Sequence, residues 1–182
     1  MVRATDVERG QIVCSHTGCG QINALTPTVE YDPRLATDLP GHGHLTYLND
    51  PAVVLRLRFG ENVIGTSDSC HLRVARYQHK GRCYISRRHC TLTVAFDPWA
   101  GTLRYQLQDG AVDPAERIHK ASLNGTLLNG VPLRATERID VGPGDRLSLG
   151  GADAFQLTHA VIDPLVRETY RIMHTFNADL TQ

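Results

Sequence analysis

From residue 52 onward the sequence repeats one pattern, in which short runs of alternating apolar and polar residues are separated by turn signals. A strand places successive side chains on opposite faces, so a period of two produces one apolar and one polar face. The runs are AVVLRLRF, TLTVAF, TLRYQLQ, RLSLG and AFQLTHAV. The turn signals between them are Asp97-Pro98, Asp109-Gly110, Asn124-Gly125, Asn129-Gly130 and Gly142-Pro143-Gly144. Short strands at this spacing predict an antiparallel β-sandwich over residues 52–160.

The two ends of the chain differ from this central part. In residues 161–182, Asp163-Pro164 provides the N-cap and the first residue of a helix. Val166, Tyr170 and Met173 then fall on one helical face, so we expect a short amphipathic helix that closes the sandwich. A helix that binds a partner is the alternative.

The N-terminal segment, residues 1–51, has a different pattern. It predicts a small β-rich extension, with two short strands around a cysteine-bearing turn, followed by a Pro- and Gly-rich linker.

Composition excludes several classes of protein. Apolar residues make up 41% of the 182 and charged residues 21%, which is typical of a folded domain and not of a disordered chain. The sequence contains no apolar run long enough to cross a membrane, and its N-terminus lacks a signal-peptide pattern, so we predict a cytoplasmic protein without a membrane segment.

The chain has five cysteines. This odd number argues against a disulfide framework and favours free thiols or a metal site.

Charge is distributed unevenly, although the formal net charge is zero. Residues 69–96 contain six Lys and Arg and no Asp or Glu, which leaves 13 basic against 19 acidic residues elsewhere. Such segregation predicts an anion-binding face on an otherwise neutral molecule. The alternative is a basic loop whose side chains scatter over the surface.

A serine, two arginines and a histidine occupy consecutive positions in Ser86-Arg87-Arg88-His89. On a regular strand Ser86 and His89 would face opposite sides and share no proton, and no glycine flanks Ser86 as a nucleophile elbow requires. We therefore predict that the chain is not an enzyme. If Ser86 and Arg87 lie in a loop before the strand, their hydroxyl and guanidinium groups can converge on one oxyanion.

Further motifs follow in a fixed order. They are Ser122-Leu123-Asn124-Gly125-Thr126, Asn129-Gly130, and Gly144-Asp145 with Leu149-Gly150, and Val63-Ile64-Gly65-Thr66 precedes them all. In this order and spacing the motifs resemble the forkhead-associated (FHA) domain. The resemblance implies an all-β, FHA-like sandwich of eleven strands that recognises phosphothreonine peptides.

The resemblance also implies roles for individual residues. Ser86 and Arg87 would bind the phosphate, and Asn124 would hold the main chain of the peptide. Gly65 would allow the turn before the binding loop, and His89 would support the loops from inside. Gly125 and Thr126 would give structural support to the same loops, and Arg88 would point away from the phosphate or lie at the rim of the site.

Two positions depart from the family pattern. Thr66 stands where an arginine usually binds the phosphate, and Leu123 stands where Ser or Thr often precedes the asparagine. Losing one guanidinium at a phosphate site removes about 1.5–3 kcal/mol of charge-assisted interaction. Arg73, Arg76 and Lys80 are the candidates to supply the missing charge.

The N-terminal cysteines resemble half of a zinc-ribbon knuckle. Cys14 and Cys19 precede Gly20, but zinc prefers four ligands and no second cysteine pair follows. His16, His42 and His44 are the candidates for the remaining ligands of a structural zinc; the alternative is a metal-free hairpin. We expect Cys70, Cys83 and Cys90, which fall within the sandwich pattern, to be free buried thiols.

The sequence thus favours a phosphothreonine-dependent protein–protein interaction module, a non-catalytic adaptor in Ser/Thr-kinase signalling whose partner is a phosphothreonine-containing protein. An FHA-type scaffold that binds unmodified protein stays open as an alternative. Nucleic-acid binding through the basic segment 70–89 is a third possibility, but few aromatic residues accompany its arginines and the net charge is zero.

Overall fold

The chain folds mainly into short β-strands, as its period-two pattern predicts. The structure is a computed structural model that describes residues 11–13, 18–19, 22–24 and 28–174. The strands are β1 (Gln11–Val13), β2 (Ile22–Ala24), β3 (Thr28–Tyr31), β4 (His44–Tyr47), β5 (Val54–Arg56), β6 (Gly60–Gly65), β7 (Leu72–Arg73), β8 (Cys90–Asp97), β9 (Thr102–Asp109), β10 (Ala111–Val112), β11 (His119–Lys120), β12 (Thr126–Leu128), β13 (Val131–Pro132), β14 (Arg138–Asp140), β15 (Arg146–Leu149), β16 (Asp153–Thr158) and β17 (Arg171–His174). The helices in the described ranges are α1 (Arg34–Asp38) and α2 (Pro164–Thr169).

Two sheets form a β-sandwich. One has six strands in the order β13-β12-β15-β16-β4-β5, and the other has five in the order β14-β9-β8-β6-β7. Together they contain eleven strands, which confirms the FHA-like, all-β sandwich that the sequence predicts. Neighbouring strands are antiparallel except for β6 and β7, which pair in parallel.

The core lies between the inner faces of the two sheets. Inward-facing residues alternate along each strand with outward-facing ones, as in the buried–exposed pattern of β9. The largest fully buried side chains include Tyr105, Phe155, Leu45, Ile64, Leu92, Leu107, Leu147, Leu149 and Leu157. At one end of this apolar core lie the buried polar residues His89, Asp109, Thr126 and Asp153.

The sandwich includes a strand from the segment that the sequence pattern assigns to a linker. Strand β4 pairs with β16 on one side and β5 on the other, and its residues Leu45 and Tyr47 are buried. Helix α1 lies in the same segment and buries Leu35 and Ala36. The sandwich therefore begins before residue 52, because a four-residue strand beside PGHGH gives too short an alternation to stand out.

At the N-terminus, β1 and β2 pair antiparallel, as expected for two short strands around a turn. Cys14 and His16 lie outside the described residues, and Cys19 is exposed.

The C-terminal segment begins as predicted and then departs from the prediction. The side chain of Asp163 caps α2 by accepting a hydrogen bond of 2.8 Å from the main-chain N–H of Leu165. The helix ends at Thr169, however, and Met173 lies on β17, which pairs with β3. No residue of α2 is buried, and Leu165 is 79% exposed. The expectation of an apolar helical stripe that closes the sandwich is therefore wrong. The helix ends after six residues, and the chain then pairs with β3 as a strand.

Within the described ranges, neither helix has the length or the apolar character that a membrane crossing requires.

Candidate functional site

Three connecting segments meet at one end of the sandwich, and we call them the loop cluster: residues 66–71, 74–89 and 121–125. His89 is fully buried where two of them meet. Its Nδ1 accepts a hydrogen bond of 3.0 Å from the main-chain N–H of Ser86, so its Nε2 carries the proton and donates to the Gly125 carbonyl oxygen at 3.0 Å. Burial lowers the pKa of His89, which favours this neutral form. His89 therefore ties the two segments together from inside.

Ser86 connects all three segments. Its Oγ accepts a hydrogen bond of 3.0 Å from the main-chain N–H of Leu123, and its carbonyl oxygen accepts one of 3.2 Å from the N–H of Thr66. Because a hydroxyl carries one proton and Oγ is already an acceptor here, that proton remains available to a ligand. His89 contacts the main chain of Ser86 and not its hydroxyl, so the two side chains do not form a nucleophile–base pair.

Gly65 ends β6 against the main chain of Arg87. A Cβ at position 65 would overlap the carbonyl carbon and oxygen of Arg87. That carbonyl oxygen also accepts hydrogen bonds from the N–H of Ser67 at 2.9 Å and from Sγ of Cys70 at 3.0 Å. The resemblance assigns Gly65 to a turn, but its φ is not positive. What requires glycine here is the close approach of the neighbouring main chain.

Asp109 organises the third segment, although its place before Gly110 in the sequence indicates only a turn. It is buried, and its Oδ1 accepts hydrogen bonds from the hydroxyls of Ser122 at 2.7 Å and Thr126 at 2.6 Å. Its Oδ2 accepts a third from the N–H of Ser122 at 3.1 Å. A signal was present in the alternation of β9, where Leu103, Tyr105 and Leu107 face inward and Asp109 follows in the same register.

Asn124 is exposed beside these residues. Its Nδ2 donates to the carbonyl oxygen of Tyr84 at 2.8 Å, which fixes the orientation of the amide. The second N–H and Oδ1 have no hydrogen-bond partner among the described residues. The side chain of Leu123 is 88% exposed, although its main-chain N–H is bound to Ser86.

A cleft of about 790 Å³ opens at the loop cluster, and we call it the first cleft. Its lining includes five of the six positions predicted to form the phosphopeptide site: Thr66, Ser86, Arg87, Arg88 and Leu123. Asn124 is not among the lining residues and lies next to Leu123 at the edge. Arg76 lines the cleft as well.

Positive charge in the first cleft is concentrated on its arginines. Arg87 and Arg76 are exposed, and neither guanidinium forms a hydrogen bond or ion pair within the described part of the chain. Arg88 donates from Nη1 to the carbonyl and hydroxyl oxygens of Ser69, each at 3.4 Å, and its buried Nε has no partner there. These groups can therefore bind an anion without first breaking a strong ion pair.

The lysine of the cleft lining is offset by two carboxylates. Lys120 donates to Asp113 at 3.0 Å and to Glu116 at 2.8 Å. The hydrogen bond from Lys120, with two more from the main chain, lowers the pKa of Asp113 to about 2. This group of one lysine and two carboxylates therefore adds no net positive charge to the cleft.

The three candidates for the missing phosphate charge lie in different places. Arg73 forms an ion pair of 2.7 Å with Asp68. Lys80 belongs to a turn with a positive φ of 53° and does not line the cleft. Arg76 lines the cleft and is unpaired within the described residues.

The structure does not support the zinc prediction. Among the described residues no group of three or more His, Cys, Asp and Glu side chains is close enough to hold a metal. Nε2 of His42 lies 2.8 Å from the carbonyl oxygen of Ala36, and His44 begins β4.

The three cysteines of the sandwich are free thiols. Cys70 and Cys90 are buried and Cys83 is half-buried, and burial raises the pKa of Cys90.

Comparison with known families decides the identity of the sandwich. Residues 62–150 match the family model described as the FHA domain. The chain contains an FHA domain. The match includes the residues of the loop cluster and those of the first cleft, so the motif resemblance and the family model agree. No curated protein matches the chain.

Solved FHA domains have similar structures at low sequence identity. The MEK1 FHA domain in complex with a phosphothreonine peptide of HOP1 is 20% identical, with a TM-score of 0.48, and the alignment covers 66% of this chain and 99% of that one. The FHA domain of a hypothetical protein from Arabidopsis thaliana is 18% identical, with a TM-score of 0.49 and coverage of 68% and 89%. A structure from a study of phosphothreonine-dependent FHA domain interactions is 21% identical, with a TM-score of 0.47 and coverage of 66% and 99%.

Proposed function

We propose that this FHA domain is a phosphothreonine-dependent protein–protein interaction module and that the chain is a non-catalytic adaptor in Ser/Thr-kinase signalling. One observation carries the proposal. The Ser86 hydroxyl proton and the Arg87 guanidinium lie on the same cleft, and neither is used by another described residue. A phosphate group accepts hydrogen bonds from both groups, and charge-assisted bonds from arginine are the stronger.

The remaining site residues fit the rest of a peptide. Asn124 keeps one N–H donor and the Oδ1 acceptor, which match the carbonyl oxygen and N–H of a peptide main chain. Leu123 projects its exposed side chain at the mouth of the cleft, where it can pack against an apolar residue of the ligand. Thr66 and Arg88 line the same cleft and contribute a hydroxyl and a further guanidinium.

The proposed partner is a protein that a Ser/Thr kinase has phosphorylated on threonine. We propose a cytoplasmic location for the chain as well.

Binding to a phosphothreonine peptide library, with the unphosphorylated library as the control, tests the proposal. We expect binding only to the phosphorylated library. For a peptide selected in this way, Arg87→Ala should weaken binding about ten- to a hundredfold, since it removes one charge-assisted interaction. Arg146→Ala is the matched control, because Arg146 is an exposed arginine outside the first cleft.

Two results would contradict the proposal. Equal binding to both libraries would favour the scaffold that binds unmodified protein. Equal losses in the Arg87 and Arg146 variants would show that overall charge, and not the first cleft, determines binding.

A further inference from the structure

A second cleft lies at the other end of the six-stranded sheet. Strand β16 starts at Asp153 near the loop cluster, where the N–H of Gly150 donates to the Gly125 carbonyl oxygen at 2.9 Å. It ends at Thr158, which pairs with His44 at the start of β4. Six residues of strand separate the two ends by roughly 17 Å. The second cleft has a volume of about 580 Å³ and includes His44 in its lining.

The charged side chains of this cleft are all basic. The cleft is lined by Arg56, Arg58, His42, His44 and His159, and no Asp or Glu is among its described lining residues. Since carboxylates make up half of the formally charged residues of the whole chain, their absence here marks a local positive site.

Strand register places two of these basic residues side by side. His44 and Arg56 are partners across β4 and β5. The N–H of Leu57 donates to the carbonyl oxygen of Gly43 at 3.0 Å, and His42 and Arg58 lie next to this contact along the chain. The formal positive charge of this region at pH 7 comes from Arg56 and Arg58, because the histidines are counted as neutral.

The arginines of the second cleft retain their hydrogen-bonding capacity. Arg56 is exposed and has no side-chain partner within the described ranges. Arg58 reaches only the main-chain oxygen of Glu61, at 3.4 Å from Nε and from Nη2. His42, by contrast, is held in place by its contact with Ala36. Arg56 and Arg58 are therefore the groups that an anionic ligand would bind.

We propose that the second cleft binds an extended acidic segment of a partner protein, with its carboxylates on Arg56 and Arg58. Strand β5 is the edge of the six-stranded sheet, and an edge offers main-chain donors and acceptors to an added extended peptide. Carboxylates two residues apart on such a peptide match the spacing of Arg56 and Arg58. The exposed side chains of Val54 and Val161 provide apolar contacts beside them.

Charge alone would also suit a nucleic acid, but the cleft favours a peptide. No Phe, Tyr or Trp is among the described lining residues, but the imidazoles of His42, His44 and His159 are, and the exposed ring of Phe59 lies 5.9 Å from that of His42. The open strand edge is therefore the feature that favours a peptide. The open edge of β5, in turn, presents groups that an extended peptide uses and a nucleic acid does not.

A fluorescein-labelled peptide of alternating Glu and Val, measured by fluorescence anisotropy with the full chain, tests the proposal. We expect saturable binding that weakens at least tenfold in the double variant Arg56→Gln, Arg58→Gln and is unchanged in Arg146→Gln. Arg146 is a matched control because it is an exposed arginine on β15 of the same sheet and does not line the cleft. A peptide of alternating Gln and Val should not bind.

Several outcomes would overturn the proposal. These are no saturable binding to the wild-type chain, unchanged binding in the double variant, or equal binding of the Gln–Val peptide. A single-stranded oligonucleotide that bound more tightly than the Glu–Val peptide, and lost binding in the same double variant, would replace the peptide partner with a nucleic acid. The double variant should bind phosphothreonine peptides normally, so this test and that of the first cleft fail independently.

Discussion

At the residue scale, the first cleft depends on which hydrogen-bonding groups the fold has already used. Both nitrogens of His89 are occupied, so this residue can only hold the loops. Ser86 has used an acceptor site and kept its proton, and Asn124 has used one of its two N–H donors. Arg87 and Arg76 have used none among the described residues. The side chains with unused donors are those that can bind a ligand.

The position of the second phosphate charge can be tested directly. We expect Arg76→Ala to weaken binding of a phosphothreonine peptide by about tenfold or more, because it removes an unpaired guanidinium from the first cleft. Arg73→Ala should have little effect, since Arg73 is paired with Asp68 at 2.7 Å and does not line the cleft. Isothermal titration calorimetry of both variants measures the difference. A larger loss for Arg73 would place the second charge elsewhere.

At the element scale, the end of strand β6 sets the position of the phosphate-binding segment. The strand stops at Gly65, and the main chain of Arg87 packs directly on that residue. The N–H groups of Thr66 and Ser67 then donate to the carbonyl oxygens of Ser86 and Arg87. The orientation of Arg87 therefore depends on a strand that is distant in sequence.

We predict that Gly65→Ala weakens phosphopeptide binding by about tenfold or more, equivalent to ~1.4 kcal/mol, and lowers the free energy of unfolding. The added Cβ would overlap the Arg87 carbonyl and push the segment outward. Gly41→Ala is the matched control, because a Cβ at Gly41 meets no atom within 4 Å and its φ is not positive. Calorimetric binding and urea denaturation of both variants provide the comparison. Wild-type affinity in Gly65→Ala would mean that the segment accommodates the methyl group without moving Arg87.

At the scale of the whole molecule, burial of His89 links the stability of the domain to pH. Burial holds the pKa of His89 below its ordinary value of 6.5, and burial lowers the pKa values of His159 and His71 in the same direction. Below pH 6.5 the unfolded chain therefore binds more protons than the folded one. The stability that neutral His89 provides is complete above pH 6.5, and it is lost as the pH falls toward the lower pKa of the folded state.

We expect the free energy of unfolding, measured by urea denaturation, to be flat just above neutral pH and to fall steadily as the pH drops from about 6.5 to 5. The variant His89→Gln should be less stable at neutral pH, by about 1–3 kcal/mol, because it disturbs the bonds to Ser86 and Gly125. Its stability should depend less on pH than that of the wild type. A wild-type curve that stays flat down to pH 5 would contradict this account of His89.

Local pattern was enough to predict much of this fold. Period-two alternation identified β8, β9, β15 and β16 because one face of each strand is buried. The hairpin at Asn129-Gly130 followed from its residues, which have the positive φ values of 51° and 83° that such a two-residue turn requires. The motif order was enough to indicate the FHA domain.

By itself, then, the sequence determined the longer strands of the sandwich, the turns and most of the residues from which the first cleft is built, because these depend on neighbours along the chain. The tertiary structure decided which arginine faces the cleft, since Arg73 and Arg76 have the same chemistry and differ only in what lies beside them. It also decided that Asp109 would hold Ser122 and Thr126, and that β17 would pair with β3. These outcomes depend on contacts between residues far apart in sequence, which no local pattern encodes.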